Sequence, residues 1–205
     1  MTSPAKTYHH GHLREALIDA ATDLARTGGP EAVVLREVAR QVGVSHNAAY
    51  RHFTDRDELL GEVGARAMDQ LGQAMKRGIE GVRARDPAKR SRGHLDATGR
   101  AYVEFALANP GLFGIAFAGV VAADAQEVSL TTDPYAVLNE VLDSMVESGA
   151  MPASRRPGAD ATCWAGVHGF AVLHLGGGLD PPLDETWRSD LEHLLSTLDR
   201  GLCAP

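Results

Sequence analysis

His46, Asn47, Tyr50, Arg51 and His52 stand together in a short stretch of an otherwise ordinary chain. Their chemistry is that of groups which meet a nucleic acid. An Asn amide matches the donor and acceptor edge of adenine in the major groove, and an Arg guanidinium matches guanine. Tyr and His more often hold phosphates. A helix that is merely solvated more often carries Glu and Lys at such positions.

The flanking residues say what would position this set. Leu35, Val38, Ala39 and Val42 are apolar at i, i+3, i+4 and i+7, one face of a helix. Gly43 can take the left-handed conformation that ends such a helix. Ser45 can cap the next one by accepting a backbone N–H. Ala48, Ala49 and Phe53 then supply a small apolar side. Residues 35–53 therefore read as two helices joined by a short Gly-containing turn, a helix-turn-helix whose second helix fits the major groove. An ordinary helical hairpin has the same apolar pattern, and only the polar outer face argues for more.

These residues also resemble a known family. GVSHNAAYRHF resembles the recognition-helix signature of the tetracycline-repressor (TetR) family of bacterial regulators. LREVAR resembles its second helix, TDRDELL the start of its fourth, and YHHGHLREALIDAA its first in one subgroup. Farther on, AYVEFALANPGLFGIAF and WAGVHGF resemble the effector domain of that subgroup, named for a Trp-His-Gly pattern. The resemblance implies that Arg36 contacts a base or phosphate, that Ser45, Tyr50, His52 and Arg56 lie on the phosphate side, and that His46, Asn47 and Arg51 form the variable base-reading face. It also implies a four-helix dimer interface. One departure is Val34, where the family usually has Ser or Thr as cap and phosphate contact.

Size and composition set bounds. A chain of 205 residues, 44% hydrophobic and 23% charged, can bury a good core as one large domain or two smaller ones. Cys163 and Cys203 are too few for a disulfide framework and fit a reducing cytoplasm. The polar, His-rich first dozen residues show no leader segment. The apolar run 112–123 is too short to span a bilayer. The net charge of −7 argues mildly against nucleic acid, and the first sixty residues, with seven Lys/Arg and eight Asp/Glu, reach only −1. Placement outweighs the total, because most of those acids fall outside the recognition segment.

The rest reads as helix throughout. One helix is expected over about 11–27, ended by Gly28, Gly29 and Pro30. A long one runs from about 55 to 79, with Leu60, Val63, Ala67, Leu71 and Met75 inward. Residues 83–93 read as a basic linker. A helix from about 94 carries Tyr102 and Phe105 and breaks at Asn109-Pro110. Helices over 111–117 and 134–147 follow, with 122–133 as loop. Over 160–175, the small residues Gly166, Gly169 and Gly176 share a face with Thr162 and Leu173. Interior glycines cost about 1 kcal/mol each relative to Ala, so a close approach is implied. Residues 183–202 carry a Leu stripe that includes Leu191, Leu194, Leu195 and Leu198. These last two helices could form the core of one chain or half of a dimer interface. Two-fold symmetry in DNA readers favours the dimer, with Gly166, Gly169, Leu173, Leu191, Leu195 and Leu198 as contacts.

Enzymatic signals are missing. Gly176, Gly177 and Gly178 lack the Lys-Ser/Thr of a phosphate loop, and no Gly-x-Ser-x-Gly elbow occurs. His168 and His174 are six apart and point about 240° apart on a helix, so neither they nor Cys163 make a plausible metal set. His9, His10 and His12 read as an arm near DNA. No enzyme activity, cofactor or metal is expected. The large side chains instead outline a small-molecule pocket: Met75, Tyr102, Phe105, Phe113, Phe117, Leu138, Leu142, Met145 and Trp164, with Asn139 and His168 as polar handles.

The expectation is an all-α protein. Residues 1–54 form a three-helix DNA-binding domain, and residues 55–205 dimerise and hold an effector. Its partners are an operator in double-stranded DNA, a second copy of itself and a small apolar or amphipathic molecule. A helical dimer that binds ligands or partners without DNA is the alternative.

Overall fold

A computed structural model of the chain describes residues 12–118, 131–178 and 186–203. The described residues are all-α, with helices α1 (Leu13–Gly28), α2 (Leu35–Val42), α3 (His46–Ala49), α4 (Arg56–Glu80), α5 (Pro87–Ala108), α6 (Pro110–Phe117), α7 (Pro134–Glu147), α8 (Ala159–Leu175) and α9 (Trp187–Cys203). No described helix is long and apolar enough to cross a membrane. His9, His10 and the start expected for the last helix at residue 183 lie outside the described residues.

The chain divides into two compact units, residues 1–67 with 111–129, and residues 68–110 with 130–205. α4 contributes its first turns to one and its later turns to the other.

In the first unit, α2 packs on both α1 and α3. Leu17, Ala21, Ala25, Val38, Ala49 and Phe53 are fully or almost fully buried there. Arg14 bonds Glu62 at 2.6 Å, and Arg66 bonds both Glu15 and Asp19, which ties α1 to the first half of α4. Such half-exposed pairs contribute about 0–1 kcal/mol each. α6 approaches α1 so closely that a Cβ on Gly111 would collide with the Ala25 carbonyl.

In the second unit α5 is central and packs on α7, α8 and α9. Its start corrects the sequence reading. Residues 87–93 are helix, not linker: Asp86 caps the helix by accepting from the Lys89 amide at 2.8 Å, and Pro87 takes the first turn. The basic charge run hid that signal. α5 is closely approached at Gly99, where a Cβ would lie 2.5 Å from Leu195 of α9 and 3.4 Å from Val167 of α8.

Candidate nucleic-acid interface and ligand cavity

The turn between α2 and α3 forms as its residues require. Gly43 sits at φ +79°, left-handed, and its amide returns to the end of α2. Ser45 Oγ accepts from the Ala48 amide at 3.2 Å. Because the oxygen is the acceptor here, the hydroxyl proton is left to donate outward. Val34 precedes α2 with no side-chain cap, the departure noted above.

α3 is shorter than expected. Only His46–Ala49 is α-helical, and the next residues continue as turns, with the His52 and Phe53 amides both on the Ala49 carbonyl. Phe53 is fully buried beyond the helix, under the Arg14 guanidinium at 5.1 Å. Ala48 and Ala49 face inward. His46, Asn47, Tyr50 and Arg51 are exposed, while His52 is half-buried. Tyr50 is 46% exposed, an open position for a large ring, and it meets His46 edge-on at 4.5 Å. Arg36 and Arg51 are exposed and make no ion pair among the described residues. The expected base-reading groups His46, Asn47 and Arg51 are thus open to solvent, as are Arg36, Ser45 and Tyr50.

Arg56 has another task. Its Nε donates to the Val33 carbonyl at 2.8 Å and a terminal nitrogen to the Pro30 carbonyl at 2.6 Å. It clamps the short 3-10 turn Pro30–Ala32 ahead of α2. That leaves only part of the guanidinium to meet a phosphate. Sequence pattern gives no sign of this clamp, because its acceptors are backbone atoms more than twenty residues away.

The second unit holds a cavity of about 420 Å³. Four of the eleven expected pocket residues line it: Met75, Tyr102, Leu138 and Trp164. Trp164 is half-buried, with Tyr102 edge-on at 5.2 Å and Tyr135 at 5.6 Å. His168 stands behind Tyr102, its Nδ1 2.8 Å from the phenol oxygen. Burial pushes the Tyr102 hydroxyl well above the usual phenol range and His168 below the usual imidazole range. Both directions favour a neutral pair in which the phenol donates.

Other expected lining residues lie elsewhere. Leu142 and Met145 are buried in the core, and Phe105 is half-buried on α5. Asn139 is occupied, accepting from Arg156 at 2.7 Å and donating to the Tyr135 carbonyl at 3.0 Å. Phe113 and Phe117 belong to the first unit, with rings 4.8 Å apart. The break at Asn109 sends α6 to α1 and takes both phenyls with it.

The cavity also uses residues that sequence reasoning assigned otherwise or missed. Leu195 and Leu198 line it, although both were expected at a dimer interface. Leu191 is fully buried within the chain, and a Cβ on Gly166 would lie 3.3 Å from Leu198 of the same chain. Gly166 and Leu198 therefore serve an internal α8–α9 contact, Leu195 packs on α5, and Leu191 is buried within the chain. Gly169, where a Cβ would meet nothing, and Leu173, 46% exposed, stay open to a partner. Arg92, Leu95, Asp96 and Gly99 on α5, and Glu192, Leu195, Ser196 and Asp199 on α9, also line the cavity. Each set follows helical i, i+3, i+4, i+7 spacing. Reading Asp86-Pro87 as a helix start would have exposed the first set. Cys163 lines the cavity as well, and burial raises its thiol to about 11, so it is uncharged at neutral pH.

A helix-turn-helix in one unit and a helical, cavity-bearing second unit define an all-α regulator class. The family model described as "Bacterial regulatory proteins, tetR family" matches residues 17–63, and "Tetracyclin repressor-like, C-terminal domain" matches residues 95–194. The chain belongs to the TetR family. An HTH-type transcriptional repressor of Mycobacterium tuberculosis is 35% identical over 85 residues, 42% of this chain and 42% of that protein's length. An uncharacterized HTH-type regulator of Bacillus subtilis is 26% identical over 165 residues, covering 80% of this chain and 79% of that one. Among solved structures, a protein of unknown function from Rhodococcus sp. RHA1 is 27% identical, with a TM-score of 0.80 over 97% of this chain and 100% of that chain.

Proposed function

We propose that the protein is a homodimeric, ligand-responsive transcription regulator: a cytoplasmic repressor released from a palindromic operator by a small apolar or amphipathic effector. Residues 1–54 read DNA; residues 55–205 dimerise and hold the effector. The observation that carries this reading is the exposed set His46, Asn47, Tyr50 and Arg51 seated on the buried Ala48 and Ala49. Phosphate-side groups fix register, and Asn47 and Arg51 supply the base contacts that specify sequence. The subgroup named for its Trp-His-Gly pattern is the finer assignment, supported by Trp164, His168 and Gly169 on α8.

A dimer is supported by the outer face of α8. Ala161, Ala165, Val172 and Leu173 are exposed there, beside Gly169. An apolar row of this kind on a surface helix marks an interaction site. Two copies would present two recognition segments to two half-sites.

Release works as a population shift. The effector binds better to a conformer whose recognition segments are wrongly spaced, and DNA binding weakens by the same coupling energy. α4 is the natural carrier, since one continuous helix begins at Arg56 and supplies Met75 to the cavity wall. Selection of duplexes from a random pool by the full-length protein tests the reading. A two-fold symmetric motif is expected. A pool that stays unenriched points instead to a ligand-binding dimer without DNA.

A further inference from the structure

The cavity walls are apolar where they are deep and acidic where they meet solvent. Met75, Leu95, Leu138 and Leu195 are buried wall residues. The polar groups among them are already used: Tyr102 bonds His168, and the Thr98 hydroxyl donates to the His94 carbonyl at 2.7 Å. Cys163 is an uncharged thiol. A ligand's body therefore meets carbon and aromatic surface.

The charged lining comes from α5 and α9, and it is unbalanced. It holds one guanidinium, Arg92, and three carboxylates, Asp96, Glu192 and Asp199. Arg92 is committed to Asp199, with Nε on one oxygen at 2.9 Å and a second nitrogen on the other. Asp96 and Glu192 share a single guanidinium, Arg100, at 3.4 and 3.8 Å. Three carboxylates against two guanidinium groups leave one negative charge at the mouth. The side chains of Asp96 and Glu192 are 50% and 66% exposed, so either can turn to a bound charge. The Trp164 ring lines the same cavity, and an indole is the best aromatic partner for a cation.

We propose that the effector is an organic cation: a tertiary or quaternary amine on an apolar body, its head held by Asp96, Glu192 and the Trp164 ring. The proposal rests on the cavity being the effector site. An anionic ligand would have to take Arg92 from Asp199 and sit beside two further carboxylates.

Three probes share a naphthylmethyl body and differ in the head: trimethylammonium, hydroxyl or carboxylate. Their binding to the full-length protein is followed by quenching of Trp164 in a Trp187→Phe background. The ammonium probe is expected to bind about tenfold more tightly than the alcohol in low salt, and the carboxylate more weakly than the alcohol. Raising the salt should narrow the gap, because the mouth is exposed. Asp96→Asn with Glu192→Gln should bring the ammonium-to-alcohol ratio to within about threefold. Asp96→Glu should restore part of that ratio in the Glu192→Gln background, which separates charge from folding. If the carboxylate binds as tightly as the ammonium, or the double variant keeps the full ratio, the cation assignment is wrong while the cavity reading stands. If none of the three quenches Trp164, both fall together.

Discussion

The two compact units keep their chemistry in opposite places. In the first, small buried residues such as Ala21, Ala25, Ala39, Ala48 and Ala49 let short helices close up, and the side chains proposed to read DNA stand outside. In the second, Tyr102, Trp164 and their neighbours enclose a space, and the surface proposed to hold an effector faces inward. An outward-facing side chain can be removed with little cost to folding. A cavity wall is also core, so its loss changes binding and stability together. Variants must be chosen with that difference in mind.

The largest expected effect comes from the outer face of α8. Leu173→Arg should halve the solution mass from about twice 21.8 kDa to that of one chain. Losing the second half-site should weaken operator binding by about 10²–10⁴-fold, the usual size of linked binding. Sedimentation and a DNA titration on one sample check both. Leu195→Arg would not be an equivalent test, because Leu195 is 6% exposed and its loss disrupts the fold itself.

Base-reading variants come next. Asn47→Ala or Arg51→Ala should cost about 1–3 kcal/mol on the preferred duplex and relax its sequence at one position. Melting temperature should hardly move, because both residues are exposed. Equal losses on preferred and random DNA would remove the distinction between base and phosphate groups.

Trp164→Ala probes the inward-facing unit. It should blunt the response of operator affinity to ligand and leave ligand-free DNA binding within a few fold. Truncation of a half-buried Trp also costs stability, up to the roughly 3–5 kcal/mol of a fully buried one. A clean separation of response from DNA affinity sharpens the contrast between units; outright loss of DNA binding in a folded variant breaks it.

The smallest effect belongs to Arg56→Ala. Two hydrogen bonds to carbonyls are lost at a site about one-third exposed. A cost of about 1 kcal/mol is expected, or a fall of about 2–4 °C in Tm. If part of the guanidinium also meets phosphate, the salt dependence of DNA binding should drop by about one unit of slope. A changed slope without a changed Tm would reverse the two roles given to this residue.

What could be read beforehand follows the range of the interactions involved. α2, the Gly43 turn and the Ser45 cap rest on contacts a few residues apart, so pattern alone located them. α7 was found for the same reason, with Pro134 at its start and an apolar stripe along one face. The cavity was only partly foreseen. Met75, Tyr102, Leu138 and Trp164 can be picked out as large side chains, but nothing local says that Leu195 turns toward α5 and Leu198 toward α8 instead of a second chain. That choice depends on Gly99 and Gly166, which let α8 and α9 close onto one another and onto α5. The acidic mouth has no local signal in a basic charge run, since only a helix beginning at Pro87 aligns Arg92 with Asp96.

The central claim is that filling a cavity in one unit weakens DNA reading by the other. Its most direct test is the affinity of full-length protein for its selected palindrome, measured with and without a saturating ligand that quenches Trp164. The account predicts at least about 10³-fold preference for the palindrome over scrambled duplex without ligand. It also predicts a loss of about 5–150-fold in palindrome affinity when the cavity is filled. Undiminished affinity for the palindrome with the cavity saturated would contradict it.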